Sequence, residues 1–323
     1  MRKPPFIVEY EITTQCNFRC IHCYCEAGEK SKRELTFEEI KKVILDMKTL
    51  GVWALDLVGG EPLLHPNLLD VLAFAKEVGQ RVMINTNGSL ATPEMVRKIK
   101  RTNPDVLVGV SIEGPDPETN DYVRGKGNFQ RAIEGIRNFV REGFEVTILN
   151  VMNKRNWMKI EETIKLAKSL GVSALYIDRF IPVGRGMVHS LELDMTPLEW
   201  SRALRHINEV IEKYSGEITF YVEESISGKP CPAGITHASI LVDGTVVPCG
   251  HFRYSKEYYM GNVREKSFVE IWNEYSPVPS PQECTHCELF RACGGGCKAY
   301  YVVHGYPKDE AICTFHGKMA PVG

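Results

Sequence analysis

Residues 16–24 read CNFRCIHCY, which places three cysteines at positions 16, 20 and 23 just after an apolar run at residues 7–12. A [4Fe–4S] cube usually takes four cysteine ligands, so three cysteines in one short loop indicate a cluster with one open iron. Open positions are typical of metal centres that perform chemistry. The other interpretation is a structural zinc site, which pairs C-x2-C with a second such pair or two histidines. Within twenty residues, only His22 and Cys25 could complete it.

The overall composition is that of a globular protein. The 323 residues are 43% apolar and 25% charged, and the formal net charge is −2. This balance argues against nucleic acid or an anionic membrane as the main partner. No stretch reaches the roughly eighteen apolar residues of a membrane span, and the N-terminus has no features of a secretory signal. We therefore expect a cytoplasmic protein, in which eleven cysteines indicate metal or cluster ligation rather than disulfides.

Short β-rich runs alternate with amphipathic helical stretches from residue 7 to about 214, which is typical of βα units around a parallel sheet. The predicted strands are 7–12, 54–58, 81–85, 106–112, 145–151 and 174–178. The predicted helices are 36–50, 66–79, 92–101, 128–142, 156–170 and 196–214. Thr36 and Glu39 form a predicted capping box for the first helix. Six units are too few to close the usual eight-stranded barrel, so the sequence predicts an open (β/α)6 partial TIM barrel.

Polar motifs follow the first four predicted strands, at the edge where such barrels place their chemistry. The cysteine loop follows the first strand, and the segment GGEP at residues 59–62 follows the second. Glycine lets the backbone approach a ligand closely, and the carboxylate of Glu61 can meet an ammonium group. Asn85, Asn87 and Ser111 follow or end the next two strands and suit ribose hydroxyls or a carboxylate. Each of the three could equally be a turn or capping residue.

The cysteine spacing, the tyrosine beside the last cysteine and the GGEP segment closely resemble the radical S-adenosylmethionine (SAM) enzymes, over nearly the whole chain. The resemblance implies the open barrel and a cluster on Cys16, Cys20 and Cys23. Its fourth iron would bind SAM, which an electron cleaves to a 5′-deoxyadenosyl radical. The residues that the resemblance assigns to SAM binding are Tyr24, Gly59, Gly60, Glu61, Pro62, Asn85, Asn87, Ser111 and Arg124. Arg124 would neighbour the SAM carboxylate, with an exposed salt bridge as the other interpretation. Arg179 and Arg185 are candidates for the cavity mouth.

The pattern changes after about residue 220 to turns and closely spaced cysteines, which indicates a second domain. We expect domains at residues 1–220 and 221–323. Two alternating runs at 238–242 and 245–249 are joined by Asp243-Gly244, which predicts a β-hairpin at the start of the second domain.

Seven cysteines in this region resemble the SPASM domain, the extension of radical SAM enzymes that carries two auxiliary [4Fe–4S] clusters. By resemblance, Cys231, Cys249 and Cys297 would hold the inner cluster. The remaining four, which would hold the outer cluster, are Cys284, Cys287, Cys293 and Cys313. The chain would thus carry three [4Fe–4S] clusters, and the other interpretation of the seven cysteines is two zinc sites. The inner cluster lacks one ligand, which leaves His237, a substrate donor or an open iron.

Two residues fall outside these patterns. Cys25 is most simply a spare, partly exposed thiol, with an alternative ligand as the other interpretation. Gly250 follows Cys249 where sulfatase-maturing relatives carry a catalytic aspartate, and this departure argues against sulfatase maturation.

The resemblance implies an anaerobic radical SAM oxidoreductase in which the auxiliary clusters accept or relay electrons supplied by a reductant such as flavodoxin or ferredoxin. Most SPASM relatives modify peptides, so the leading hypothesis is a peptide maturase. A tetrapyrrole side chain of a haem precursor is the rival substrate, because the region from Thr36 through Gly186, together with residues 261–264 (GNVR) and 270–272, also resembles that branch. A zinc-binding or electron-transfer protein is the non-enzyme alternative.

Overall fold

A ten-stranded sheet organises the computed structural model, which describes residues 2–222, 229–306 and 313. The strands are β1 (Ile7–Thr13), β2 (Ala54–Gly59), β3 (Val82–Thr86), β4 (Leu107–Ser111), β5 (Val146–Met152), β6 (Ala174–Arg179), β7 (Thr219–Val222), β8 (His237–Ile240), β9 (Thr245–Val247) and β10 (Gly261–Asn262). Their order is β10-β9-β8-β1-β2-β3-β4-β5-β6-β7. All neighbours from β8 to β7 pair in parallel, whereas β9 is antiparallel to β8 and β10.

Helices follow the strands in the order expected of βα units. They are α1 (Phe37–Leu50), α2 (Leu68–Glu77), α3 (Pro93–Thr102), α4 (Pro117–Arg124), α5 (Asn128–Arg141), α6 (Ile160–Ser169), α7 (Arg185–Val188), α8 (Ser190–Leu193), α9 (Pro197–Lys213), α10 (Phe268–Glu274), α11 (Phe290–Cys293) and α12 (Lys298–His304). The predicted capping box is present, because Thr36 accepts from the Glu39 N–H and Glu39 bonds back to the Thr36 N–H. Among the described residues, none of the helices combines the length and apolar character needed to cross a bilayer.

The open (β/α)6 barrel is confirmed, and each predicted strand lies within about two residues of an observed one. The sequence did not predict α4, which lies between β4 and the helix expected after it. It also missed β7, a short strand that extends the sheet beside β6. Both elements are short and lack the long hydrophobic period on which the prediction depended.

The two faces of β1 have opposite chemistry. Val8 and Tyr10 are fully buried on the face that packs against the helices, whereas Glu9 and Glu11 point to the other face. In register with Glu9 lie Asp56 of β2 and Ser239 of β8. We call the side that carries Glu9, Glu11 and Asp56 the inner face, and there polar side chains alternate with apolar ones such as Met83 and Leu149.

The predicted hairpin forms, but it continues the barrel sheet instead of starting a separate one. Strand β8 pairs in parallel with β1, which leaves no break in the hydrogen-bonded sheet between the two regions. The division at residue 220 stays a prediction, and residues 223–228, 307–312 and 314–323 of the second predicted domain lie outside the described residues.

The two segments that resemble the haem-precursor branch pack the hairpin region against the barrel. Arg264 donates to Glu39 at 2.8 Å and to the Asp243 carbonyl at 2.9 Å. Trp272 is fully buried and donates its indole N–H to the Lys3 carbonyl at 2.8 Å. These contacts stabilise the fold, so they do not distinguish one substrate from another.

Candidate active site

The cysteine loop begins where β1 ends, at the carboxyl edge of the sheet. The Cys16 N–H donates to the Gly28 carbonyl at 2.9 Å, which closes the loop. Two sulfur atoms already accept backbone hydrogen bonds, since the Phe18 N–H lies 3.3 Å from Sγ of Cys16 and the Ala27 N–H lies 3.4 Å from Sγ of Cys23. Backbone donors around cysteine sulfurs are a regular feature of iron–sulfur sites.

The thiols of this loop differ in their electrostatic surroundings. Burial raises the pKa of Cys20 to about 12 and also raises the pKa of Cys16. A hydrogen bond with Cys25, whose Sγ is 3.6 Å away, lowers the pKa of Cys23 to about 5. Cys25 itself is buried and donates to the Gly59 carbonyl at 3.3 Å. The prediction of a partly exposed spare thiol was therefore wrong, because Cys25 fills the space between the loop and β2.

The segment after β6 holds the cysteine loop from the other side. Arg185 donates to the carbonyls of Cys20 and Ala27, both at 3.0 Å. Gly184 has a φ of +61°, and a Cβ there would lie 2.4 Å from the Tyr24 carbonyl oxygen. Arg185 thus supports the loop backbone, whereas Arg179 is buried with its guanidinium 3.6 Å from the ring centroid of Tyr300. Neither arginine takes the expected place at a cavity mouth.

Gly59 and Gly60 are required by a close approach between two backbones. A Cβ on Gly59 would lie 2.5 Å from the Thr13 carbonyl oxygen, and one on Gly60 would lie 2.1 Å from that of Gln15. The N–H groups of Gly60 and Glu61 donate to these two carbonyls at 2.7 and 2.8 Å. The glycines therefore attach the end of β2 to the start of the cysteine loop.

Glu61 is fully buried, and its carboxylate accepts three hydrogen bonds. The donors are the Leu63 N–H at 3.1 Å, the Thr86 hydroxyl at 2.6 Å and the Asn87 N–H at 2.8 Å. Burial raises its pKa, which these bonds oppose. Pro62 begins the one-turn helix that supplies the Leu63 N–H. The carboxylate thus fixes the loop after β3 to the loop after β2, a role the sequence did not predict.

Asn87 connects the loop after β3 to the cysteine loop. Its Nδ2 donates to Oδ1 of Asn17 at 3.0 Å, and its Oδ1 accepts from the Ser89 hydroxyl at 2.6 Å. Asn17 in turn donates to Ser89 at 2.8 Å, which completes a small ring of side chains. The sequence did not predict these roles, because Asn17 is a spacer residue of the cysteine motif and Ser89 lies just beyond residues 85–88.

Asn85 lies on the inner face and pairs with a carboxyl that the sequence analysis also missed. Its Nδ2 donates to Oδ2 of Asp56 at 2.8 Å. Burial raises the pKa of Asp56 to about 8, so this carboxyl is largely protonated at neutral pH. Gly109 of β4 pairs with Asn85, and Ser111 lies two residues further along the same strand. Ser111 is therefore on the same face of the sheet as Asn85. Of the predicted SAM-binding residues, Asn85 and Ser111 thus share the inner face, and Asn87 contacts the cysteine loop.

Arg124 is buried in an ion pair instead of forming an exposed salt bridge. Its Nε donates to Oε1 of Glu113 at 3.0 Å, and His22 Nε2 lies 3.1 Å from the same oxygen. Burial alone would raise the pKa of Glu113, but the charges of Arg124 and His22 lower it to about 2. The Val151 N–H donates to the other carboxylate oxygen at 3.0 Å. The positive charge of Arg124 also opposes the rise that burial causes in the pKa of Cys16 and Cys20.

Cys231, Cys249 and Cys297, which are predicted to hold the inner cluster, lie together near the hairpin, and we call their position the inner site. Cys231 and Cys297 are buried in one apolar cluster, and Cys249 packs against it. Among the outer-site cysteines, Cys284 and Cys293 are buried, while Cys287 and Cys313 are half-buried. The Cys287 N–H donates to the Cys284 carbonyl at 2.9 Å, so these two lie on one tight turn.

Two histidines lie near the inner site and have different partners. His237 starts β8, with Nε2 at 3.6 Å from Oε2 of Glu9 and 3.4 Å from the Ser239 hydroxyl. His251 instead has Nδ1 at 3.3 Å from Sγ of Cys249. Burial lowers the pKa of His251 to about 4. Of these two histidines the sequence predicted only His237 as a candidate ligand, although the Cys249-x-His251 spacing was a usable signal.

Tyr24 joins the cysteine loop to the inner site. Its ring centroid is 5.2 Å from that of His251, and a Cβ on Gly250 would lie 2.8 Å from the Tyr24 ring. Beside it, Arg253 donates to the buried carboxylate of Glu11 at 2.5 Å. The glycine after Cys249 therefore allows direct packing of the hairpin on the first loop.

The donor chemistry fits iron–sulfur ligation, because backbone N–H groups donate to cysteine sulfurs of the first loop and three further cysteines share one apolar cluster. A model of the radical SAM superfamily matches residues 10–167, and a model of the iron–sulfur cluster-binding SPASM domain matches residues 231–293. This chain belongs to the radical SAM superfamily and carries a SPASM domain. It is therefore an enzyme that uses SAM and [4Fe–4S] clusters for radical chemistry, and the resemblance drawn from its motifs is confirmed.

The relatives of this radical SAM enzyme differ in their named activities. The AdoMet-dependent heme synthase of Methanosarcina barkeri is 29% identical, over 98% of this chain and 98% of that protein. Mycofactocin maturase MftC of Mycolicibacterium smegmatis is also 29% identical, over 94% of this chain and 81% of that protein. The crystal structure of Streptococcus suis SuiB bound to precursor peptide SuiA superposes with a TM-score of 0.78 at 17% identity, covering 95% and 74% of the two chains. At this identity, the structural likeness concerns the fold.

Proposed function

We propose that this radical SAM enzyme abstracts a hydrogen atom from a peptide or protein substrate. The side chains of the inner face are the basis for this choice of substrate class. Among the described residues of β1 to β6, those on this face include carboxyl, amide and hydroxyl side chains but no lysine or arginine. Arg253 reaches the face from the hairpin and is paired with Glu11. A surface rich in hydrogen-bond acceptors suits peptide N–H groups and offers little to the carboxylates of a tetrapyrrole.

The residues around the cysteine loop would divide the work of binding SAM. When bound, the SAM-binding cluster supplies the electron that cleaves SAM to the 5′-deoxyadenosyl radical. Cys16, Cys20 and Cys23 would hold that cluster. Glu61 would keep the loop after β3 in place for the SAM amino group and ribose. Arg124, oriented by Glu113, would place a positive charge beside the SAM carboxylate.

We further propose three [4Fe–4S] clusters, one for SAM and two auxiliary, in the ligand sets given by the SPASM pattern. The packing of Tyr24 on the hairpin supports electron exchange between the first loop and the inner site, because it brings the two regions into contact. The auxiliary clusters would accept or relay the electron left on the substrate, and a flavodoxin or ferredoxin would supply the first electron.

The cluster assignment is tested by changing Cys16, Cys20 and Cys23 together to Ala. We expect reductive formation of 5′-deoxyadenosine from SAM to be abolished, because this variant lacks all three proposed ligands of the SAM-binding cluster. Both auxiliary clusters should remain, so roughly eight of about twelve irons per chain should persist. Unchanged SAM cleavage in this variant would contradict the assignment.

A tetrapyrrole side chain is the second candidate substrate. It is favoured by the haem synthase of M. barkeri, which aligns over 98% of both chains. The two candidates are separated by following deuterium from substrate into 5′-deoxyadenosine. Reduced holoenzyme and SAM are incubated with a soluble extract of deuterium-grown cells, with the same extract after protease digestion, or with deuterated iron-coproporphyrin III. Deuterium transfer that protease removes supports a peptide, whereas transfer from the porphyrin alone would overturn it.

A further inference from the structure

His251 lies outside the SPASM cysteine pattern, yet it is directly beside an inner-site cysteine. The 3.3 Å between its Nδ1 and Sγ of Cys249 is a hydrogen-bond contact. A cysteine that ligates iron is a thiolate, which accepts hydrogen bonds but has no proton to donate. With the cluster present, the ring nitrogen must therefore be the donor.

The local backbone conformation of residues 249–252 brings His251 close to Cys249. Cys249 is extended, and a one-turn helix at Gly250–Phe252 then turns the chain back toward the sulfur. Gly250 packs on Tyr24, and Phe252 is buried with its ring centroid 5.2 Å from that of Tyr258. Both sides of His251 are thus anchored, and the imidazole has little freedom to move away from Cys249.

The same distance argues against His251 as a ligand of the cluster. In a [4Fe–4S] cube each iron takes one protein ligand, and these bonds point outward from different corners. Two ligand atoms on different irons therefore diverge beyond hydrogen-bond distance. His237 is no better placed, because its Nε2 faces Glu9 and Ser239 on the inner face.

His251 also lines a surface cavity of about 430 Å³, and Cys249 is not among the lining residues. Val183, Met187, Val302 and Val303 contribute apolar groups to the cavity wall. The imidazole can therefore be reached from this cavity, while its Nδ1 contacts Sγ of Cys249.

We propose that His251 donates an Nδ1–H hydrogen bond to the Cys249 thiolate and thereby raises the reduction potential of the inner auxiliary cluster. The proposal rests on the proposed function only in requiring that this cluster forms. Hydrogen bonds to cluster sulfurs stabilise the reduced, more negatively charged state. His251 is thus a positioning residue that acts through Cys249. The fourth coordination position is left to a donor other than the two histidines.

The test uses the Cys16/Cys20/Cys23 triple-Ala variant as background, because only auxiliary clusters remain in it and neither SAM nor substrate is needed. Potentiometric titration followed by electron paramagnetic resonance measures the inner cluster. We expect His251→Ala to lower its potential and His251→Asn, which keeps an amide donor, to restore part of the loss. His237→Ala is the comparison variant, and it should change the potential by less, because His237 contacts Glu9 rather than Cys249. In the background protein, ¹⁵N-labelled histidine should give a weak coupling that His251→Ala removes.

Several results would overturn the proposal. An unchanged potential in His251→Ala, or an equal shift in His237→Ala, would show that no specific hydrogen bond is at work. A strong ¹⁵N coupling would identify His251 as a direct ligand, and no coupling would place the ring away from the cluster. Loss of all auxiliary-cluster signals from the background protein would refute the cluster assignment itself, independently of the role of His251.

Discussion

Two buried carboxylates, those of Glu61 and Glu113, connect the loops that surround the three cysteines. Glu61 joins the loops after β2 and β3, while Glu113 joins Arg124 to His22 of the cysteine loop. A buried carboxylate that loses its partners is costly, because the remaining groups are left unpaired in a medium of low dielectric constant. The arrangement of the proposed SAM site would therefore depend on residues that need not touch SAM.

Glu61→Gln tests this dependence by replacing one carboxylate oxygen with an NH₂ group. The amide keeps one acceptor for Thr86 and Leu63 but turns an NH₂ toward the Asn87 N–H. Charge-assisted hydrogen bonds contribute about 1.5–3 kcal/mol, so we expect SAM affinity to fall on the order of ten-fold. Iron content should not change. Equal SAM affinity in equilibrium binding would remove Glu61 from the SAM site.

Asp56 gives a prediction about pH. Its pKa rises from 3.8 to about 8 in the folded protein, with burial as the main cause. Between these values the folded state holds a proton that the unfolded state has released, so this carboxyl lowers stability as pH rises. Asp56→Asn removes the effect. Its free energy of unfolding relative to wild type should increase between pH 5 and 8, by up to about 1.4 kcal/mol per pH unit. Urea unfolding at several pH values would contradict this if the difference stayed constant.

At the scale of elements, the segment after β6 determines how firmly the cysteine loop is held. Gly184 and Arg185 contact the loop backbone directly, although 160 residues separate them from it. The strands β1–β6 and the longer helices of the barrel were predictable, because the periods of β1–β6 and caps such as Thr36 with Glu39 are local signals. The contacts of Gly184 and the Glu113–Arg124–His22 cluster were not, because they depend on which loops meet at the edge of the sheet.

Gly184→Ala tests the support of the cysteine loop. The new Cβ would lie 2.4 Å from the Tyr24 carbonyl oxygen, in a backbone conformation that alanine rarely adopts. We expect the loop to shift and the SAM-binding cluster to be lost, which iron analysis and electron paramagnetic resonance would detect.

Gly143→Ala is the matched control, because Gly143 also has positive φ but has nothing within 4 Å of the added carbon. It should cost on the order of 1 kcal/mol of stability and leave the iron content unchanged. Similar iron content in the two variants would show that the Gly184 contact does not support the cluster.

At the scale of the whole molecule, the barrel and the hairpin share one sheet. β8 covers the edge of β1 that would otherwise present unpaired N–H and carbonyl groups. The sequence predicted the hairpin from its Asp243-Gly244 turn, but it could not predict the β1–β8 pairing, since parallel partners far apart in the chain leave no local signal.

A chain truncated after residue 222 tests whether the barrel depends on the hairpin. Without β8, the edge of β1 is exposed, and we expect the truncated protein to aggregate or to unfold at low denaturant concentration. A chain ending at residue 313 is the control, because it retains every described strand and all eleven cysteines. A soluble, cooperatively folded short form, judged by size-exclusion chromatography and urea unfolding, would contradict the prediction.

The β1–β8 pairing also has a consequence for the order of events during synthesis. Glu9 and Ser239, which are bonded across these strands, are 230 positions apart in the chain. Since the ribosome releases the N-terminal part first, β1 cannot pair with β8 until most of the protein has been made. The first cysteine loop is complete long before Cys249 emerges. We therefore expect iron delivery to the nascent chain to begin at the first loop and to reach the inner site only after the hairpin has closed the sheet.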